Sequence, residues 1–292
     1  MDQSEKVRDW MYQAETKFQI IKFTQKRETA VIVPKDLVKN TKYPTIRWLR
    51  THTVDHLDYI INKIVKYYNK PYQFYYSMAR YKEGIPKGVQ GNFGQEWKKN
   101  LHEYVITYDW LIDIDSDSHA TMELAQLSAI NICQFLDKYN TPYEIRFSGC
   151  GFHIIIDGIN MLDLNLSFNP HIKGNIYDLY SKLNKYLYNS FSHFVDTGIS
   201  DSKRLCKLPY TLAVYDDKTY VCMPLNFEQL QNFRLNTFTS DAWIGRIRFR
   251  PATYIHNTDK QFKLTELLID TGCYDEVKDW QKGLQQKKML KD

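Results

Sequence analysis

The chain has 292 residues, 43% hydrophobic and 25% charged, the proportions of a folded globular protein with room for one large domain or a domain with an appendage. No window approaches the roughly 18 consecutive apolar residues of a membrane span, and Met1 to Phe18 is charged and amphipathic, without the apolar core of a secretory signal. The net charge of +5 suits a polyanionic partner without requiring one, and the five cysteines (Cys133, Cys150, Cys206, Cys222 and Cys273) are odd in number with no C-x-x-C pair, which argues against a disulfide framework.

A reducing compartment follows, the cytosol or a nucleus where the host has one. Aromatic content is 15%, with 22 tyrosines. Such rings stack on bases or fill cores, and composition does not separate the two.

In chain order, Val54 to Tyr68 places Leu57, Ile60, Ile61, Ile64 and Tyr67 at helical spacing. Gln73 to Tyr76 reads as a short aromatic strand. Gly84 to Gly94, rich in glycine, reads as a loop. Tyr104 to Asp115 is rich in β-branched and aromatic residues and predicts one strand. Thr121 to Tyr139 predicts a helix with Met122, Ala125, Ala129, Ile132, Cys133 and Leu136 on its buried face. Tyr143 to Phe147 and Phe152 to Asp157 predict strands on either side of a glycine turn. Ile176 to Phe191 is an amphipathic helix through Ile176, Leu179, Leu183, Leu187 and Phe191, and a strand follows near Thr219 to Leu225. The C-terminus, QKGLQQKKMLKD, is polar and basic, a helix or a tail; from Lys278 onward it is a candidate for contact with DNA or a partner. No internal repeat is visible. The order implies an α+β fold, a mixed central sheet flanked by helices. A catalytic domain over residues 1–230 and an extension over residues 231–292, packed on the same domain, is the expected division.

Three stretches carry chemistry. Asp113-Ile114-Asp115 ends the apolar run Trp110-Leu111-Ile112. Alternation along a strand puts both carboxylates on one side, about 7 Å apart. Such a pair suits a hard divalent cation, Mg²⁺ or Mn²⁺. Asp117 continues the alternation or begins the turn. The plainer alternative is a strand that ends at the surface, although the apolar run before it suits a strand buried on both faces. Ser148-Gly149-Cys150-Gly151-Phe152-His153 lies between two strands, and its glycines permit a tight turn whose N–H groups face an anion. A purely structural hairpin would use the same residues. Asp196 to Tyr210 supplies Asp196 and Asp201, then Lys203, Arg204 and Lys207. These are a further carboxylate and cations for phosphate, or a solvated charged loop.

In this order the three stretches resemble the archaeo-eukaryotic primase superfamily, with the small catalytic subunit of replicative primases as the nearest pattern. The strand Leu111-Ile112-Asp113-Ile114-Asp115, the turn Ser148 to His153, and Asp196 followed by Arg204-Leu205-Cys206-Lys207-Leu208-Pro209 carry the likeness. Phe74 to Tyr81, Arg27-Glu28 and Arg47-Trp48-Leu49 add N-terminal matches. The resemblance spans roughly residues 20 to 225.

It implies a DNA primase, a template-dependent nucleotidyltransferase that takes nucleoside triphosphates on single-stranded DNA with two divalent ions, Mg²⁺ or Mn²⁺. Asp113, Asp115 and Asp196 would hold the ions. Ser148, Gly149, Gly151 and His153 would contact the incoming phosphates, with Arg204 and Lys207 on the triphosphate. A large regulatory subunit is the implied partner. The chain departs from the pattern in two places. Relatives carry a zinc knuckle, but only one cysteine, Cys133, falls between Asp117 and Phe147, so no structural zinc is expected there. Position 150 holds cysteine where many relatives have a basic residue. Alternatives are a family polymerase that fills gaps or bypasses lesions, a metal-dependent nuclease that would leave Arg204 and Lys207 idle, or a nucleic-acid binder without catalysis.

Overall fold

The computed structural model describes residues 9, 14–33, 47–51, 73–82, 101–215, 218–239, 242 and 254–289. The helix expected over Val54 to Tyr68 and the loop Gly84 to Gly94 lie outside them. The helices in chain order are α1 (Ala14–Thr24), α2 (Met122–Asp137), α3 (Ile176–Ser190), α4 (Phe227–Gln231), α5 (Leu264–Asp270) and α6 (Tyr274–Met289). The strands are β1 (Thr29–Val33), β2 (Arg47–Thr51), β3 (Phe74–Ser77), β4 (Ala79–Tyr81), β5 (Val105–Tyr108), β6 (Trp110–Asp115), β7 (Tyr143–Phe147), β8 (Gly151–Ile156), β9 (Leu205–Lys207), β10 (Leu212–Tyr215), β11 (Lys218–Val221), β12 (Met223–Leu225) and β13 (Ile255–His256). The α+β class read from the sequence is what the chain adopts, and the pairs between these strands are antiparallel.

The central sheet runs β12-β7-β8-β6, with β13 also on β7. Both β6 and β7 are antiparallel to β8, hence parallel to each other, and α2 joins them in a split β-α-β unit. One face of the sheet is apolar: Trp110, Ile112 and Ile114 alternate with Phe152, Ile154 and Ile156 on β8 and with Ile145 and Phe147 on β7, all buried. Against it lies the buried face of α2, with the six residues its helical spacing picked out. Each such side chain removed from water stabilises the fold by about 1.5–3 kcal/mol before entropy is counted.

An edge strand needs partners for its outward main-chain groups. On β6 these belong to Leu111, Asp113 and Asp115. The fully buried Asn184 of α3 takes the first, donating from Nδ2 to the Leu111 carbonyl at 3.1 Å and accepting from Trp110 Nε1 at 2.7 Å. The chain at 194–196 takes the other two (below). Asn175 starts α3 with a capping box shared with Asp178, so the helix begins at Ile176, where its amphipathic spacing begins.

A second sheet, β2-β1-β3-β9, covers the opposite face. Its β9 is the stretch read only as a basic run, and it pairs Tyr76 with Cys206 and Tyr75 with Lys207. Two expected strands are each divided. Tyr104 to Asp115 breaks at Asp109, where β5 pairs with β4 and β6 with β8. There the buried Asp109 carboxylate pairs with Arg27 at 2.5 Å and accepts from the Gly158 N–H at 3.0 Å. Thr219 to Leu225 breaks at Cys222, whose main chain bonds to Tyr210 and Thr211, so β11 and β12 join different sheets. In both cases a long-range partner interrupts a run whose local propensity is continuous.

The C-terminal stretch is helical to Met289, and residues 254–289 add β13 to the sheet and rest on the body. Gln281 Nε2 donates to the Leu164 carbonyl at 2.7 Å. Trp280 covers Gly174, where a Cβ would lie 2.2 Å from the indole at a φ of +78°.

Replacing Asn184 by alanine strips the Trp110 N–H and the Leu111 carbonyl of their partners. A loss of about 1–3 kcal/mol in unfolding free energy is expected for such buried groups. Urea denaturation, with an unchanged slope, measures it.

Candidate active site

Register assembles the site. An antiparallel bridge sets Ile114 opposite Val195, the Asp196 N–H donates to the Asp113 carbonyl at 2.9 Å, and the Asp115 N–H donates to the Phe194 carbonyl at 3.0 Å. Asp196 therefore lies directly across from Asp113, though 83 residues separate them in sequence. On the other side of β6, Asp113 pairs with His153, which pairs in turn with Arg146. Residues opposite one another share a face. One row across the sheet thus reads Arg146, His153, Asp113, Asp196, with Asp115 and Gly151 one step along. Ile114 and Val195, between the acids, are buried on the other face.

The two carboxylates of β6 have unlike surroundings. Burial opposes the charge on Asp113, but His153, Lys207 and Arg204 outweigh it and hold the carboxyl below its usual value. Burial, then the Asp113 charge, pushes Asp115 up. Asp113 Oδ1 lies 3.3 Å from His153 Nε2, is shut off from solvent, and accepts no aligned hydrogen bond among the described residues. Asp115 accepts from the Cys150 thiol at 3.4 Å. Two neighbouring carboxylates, one raised by the other and one with an unsatisfied buried oxygen, fit a hard divalent cation. Asp196 is alongside through its main chain, while its Oδ1 accepts from the Gly198 N–H at 2.7 Å. Among the described residues no three His, Cys, Asp or Glu side chains already form a metal cage. To serve as a third ligand, Asp196 has to release Gly198.

The turn between β7 and β8 needs both its glycines. Gly149 has φ +103°, and a Cβ there would lie 2.2 Å from the Ala213 Cβ. At Gly151 a Cβ would lie 2.0 Å from the Ile114 carbonyl oxygen. The Ser148 N–H closes the loop on the Gly151 carbonyl at 2.9 Å, so Gly149 occupies the first central position of a two-residue hairpin, where a positive φ is required. Ser148 is buried, and its hydroxyl sits 3.8 Å from the Cys150 sulfur. The N–H groups of Gly149 and Cys150 have no acceptor among the described residues.

Lys207 reaches this turn from β9, its Nζ 3.8 Å from the position a Gly149 Cβ would take. The residue is 9% exposed, and among the described residues its ammonium has neither a carboxylate within ion-pair distance nor a hydrogen-bond acceptor. Burial opposes its charge, but Cys150, Tyr75, Cys222 and Asp113 outweigh that and raise its pKa, so it is a cation at neutral pH. Arg204 is employed differently. It braces its own loop by donating to the Ile199 and Gly198 carbonyls at 3.0 and 2.9 Å and pairing with Asp201 at 3.2 Å. Asp201 also accepts from the Lys203 N–H at 2.8 Å, a local turn, and Asp117 is exposed.

Sequence reasoning passed over Arg146 and Glu144. Arg146 is 2% exposed, grips both Glu144 oxygens, donates to the Tyr76 hydroxyl, and lies 4.7 Å over the Phe23 ring. This clamp joins the central sheet to β3 and α1, and β3 carries β9 with Lys207 and Cys206. The available signal was charge in the Tyr143–Phe147 strand at two positions on one face. Arg27, read only as part of a resemblance, is a second brace: it donates to the Ser77 and Met78 carbonyls at 2.8 and 2.9 Å besides its pair with Asp109.

No family model matches the chain, and no curated protein matches it. Among solved structures, a crystal structure of the primase RepB′ is similar at 8% identity, over 99% of this chain and 68% of that one, with a TM-score of 0.38. No described helix is long and apolar enough to cross a membrane.

Removing one partner of the clamp leaves the other charge buried and alone. Arg146→Ala is expected to cost about 3–5 kcal/mol of stability, whereas the double change Arg146→Met with Glu144→Leu restores most of it. Chemical denaturation of both variants measures the difference.

Proposed function

We propose that this chain is the catalytic subunit of a DNA primase, a nucleotidyltransferase that joins nucleoside triphosphates on a single-stranded DNA template. One observation carries the reading: the Lys207 ammonium, on a residue only 9% exposed and without a carboxylate partner among the described residues, stands beside the Gly149 turn and within electrostatic reach of Asp113 and Asp115. A cation set largely out of water gains from a matching anion. A triphosphate anion matches it, and the free N–H groups of the turn add donors of the kind that cradle phosphate.

Two divalent ions, Mg²⁺ or Mn²⁺, held by Asp113 and Asp115 with Asp196, would activate the attacking 3′-hydroxyl and stabilise the departing pyrophosphate. The chain's own residues supply placement and charge. Asp113 and Asp115 present oxygen ligands from a rigid strand. The 194–196 main chain fixes where Asp196 stands relative to them. Lys207 stands beside the turn and His153 beside Asp113, so negative charge on the β- and γ-phosphates would meet cations already held in place by the fold. No protein nucleophile is required. The net charge of +5 agrees with a nucleic-acid template. A large regulatory subunit, implied by the family resemblance, belongs to the same reading.

Extension from unprimed single-stranded DNA with labelled nucleoside triphosphates and Mn²⁺ or Mg²⁺ tests it. Wild type makes product. Asp113→Ala and Lys207→Met, each removing one charged partner of the transition state, lose about 10²- to 10³-fold in kcat/KM. Undiminished synthesis by both variants overturns the assignment. Product that appears only when a primer is supplied points instead to a gap-filling polymerase of the same superfamily.

A further inference from the structure

Lys207 has an aromatic neighbour. In the second sheet β9 is the outer strand, and β3 lies one strand spacing, about 5 Å, inside it. Register sets Tyr75 of β3 opposite Lys207 of β9. Residues opposite one another share a face, so the Tyr75 ring stands alongside the Lys207 side chain. The adjacent pair, Tyr76 and Cys206, takes the other face: the Tyr76 hydroxyl accepts from Arg146, and the Cys206 sulfur lies 3.2 Å from the His153 ring.

Tyr75 is half-buried, whereas Tyr76 is 1% exposed. Burial pushes the Tyr75 hydroxyl above its usual pKa against the pull of Lys207, so it keeps its proton at neutral pH and is a donor. It donates to Gln73 Oε1 at 3.4 Å, a long contact to a neutral amide oxygen. A phosphate oxygen is a stronger acceptor than that amide. Lys207, Cys150 and His153 all lie within electrostatic reach of the hydroxyl, which places it near the glycine turn.

These groups form a progression across the strands. Asp113 on β6 is followed by His153 on β8, then by Cys206 and Lys207 on β9, then by Tyr75 on β3. A phosphate chain that starts at the carboxylates and passes Lys207 brings its far end to Tyr75. We infer that Tyr75 is a specificity-determining residue, whose hydroxyl donates to the terminal phosphate of a nucleoside triphosphate and so separates it from a diphosphate. This rests on the nucleotidyltransferase reading for the presence of a phosphate chain at Lys207.

Calorimetric titration of the full chain with ATP and with ADP, each with Mg²⁺ and without DNA, tests it. Wild type binds ATP more tightly than ADP. Tyr75→Phe keeps the ring and its place beside Lys207 but lacks the hydroxyl. Its affinity for ATP is expected to fall about 10- to 100-fold, the range for one hydrogen bond to a charged group, while its affinity for ADP changes less than about twofold. Wild-type affinity for ATP in Tyr75→Phe, equal losses for ATP and ADP, or a wild type that does not bind ATP overturns the inference. A wild type that discriminates through Tyr75 yet extends no DNA, primed or unprimed, refutes the polymerase reading and leaves Tyr75 as a triphosphate contact.

Discussion

The site depends on a short stretch of main chain, residues 194–196, bonded along the outer edge of β6. Without that pairing β6 would present unmatched N–H and C=O groups, and Asp196 would be an acid in a loop. With it, the edge is closed, and Val195 inserts into the apolar layer beside Ile114. Asp196 is held opposite Asp113 by a bond of 2.9 Å between their backbones. The same pairing that solves a packing problem delivers the third acid, which is why a charged loop far along the chain shares a site with a strand.

The second constraint is the charged layer between the sheets. Arg146 with Glu144 and Arg27 with Asp109 are largely enclosed ion pairs, and the His153 ring lies 3.3 Å from the Asp113 carboxylate. Replacing such pairs by apolar residues is often neutral or stabilising, so their presence is weak evidence for stability. They do set geometry. Arg146 holds β3 through Tyr76, and β3 holds β9, whose Lys207 and Cys206 reach the Gly149 turn and the histidine. Lys207 is the cation of this layer that has no carboxylate partner among the described residues, and that is the basis on which an anion from outside is proposed there.

Much of this was legible in the residues. Alternation along Trp110 to Asp115 assigned the acids to one face and the isoleucines to the other, and the register agrees. The helical spacing of α2 and α3 gave their buried faces, and the two glycines of the Ser148 to His153 stretch marked a turn whose geometry admits little else. The breaks at Asp109 and Cys222 were not legible, because β-branched and aromatic runs continue through both. What interrupts them is a partner distant in sequence: Arg27 and Gly158 in one case, Tyr210 and Thr211 in the other. Nor did the charge of Arg204 and Lys207 separate their uses. Both are basic residues three apart, but one is spent on its own loop and the other stands beside the turn with no ion-pair partner among the described residues.

By itself the sequence determined which side chains share a face and where the chain must turn, since these follow from the two-residue repeat of a strand, the spacing of a helix and the freedom of glycine. Only the tertiary structure decided which faces meet. It set Asp196 across from Asp113, brought Cys206 to His153, and placed Lys207 beside the Gly149 turn with no carboxylate partner among the described residues. Those outcomes are pairings between segments tens of residues apart, and the local physics of either segment contains no term that names the other.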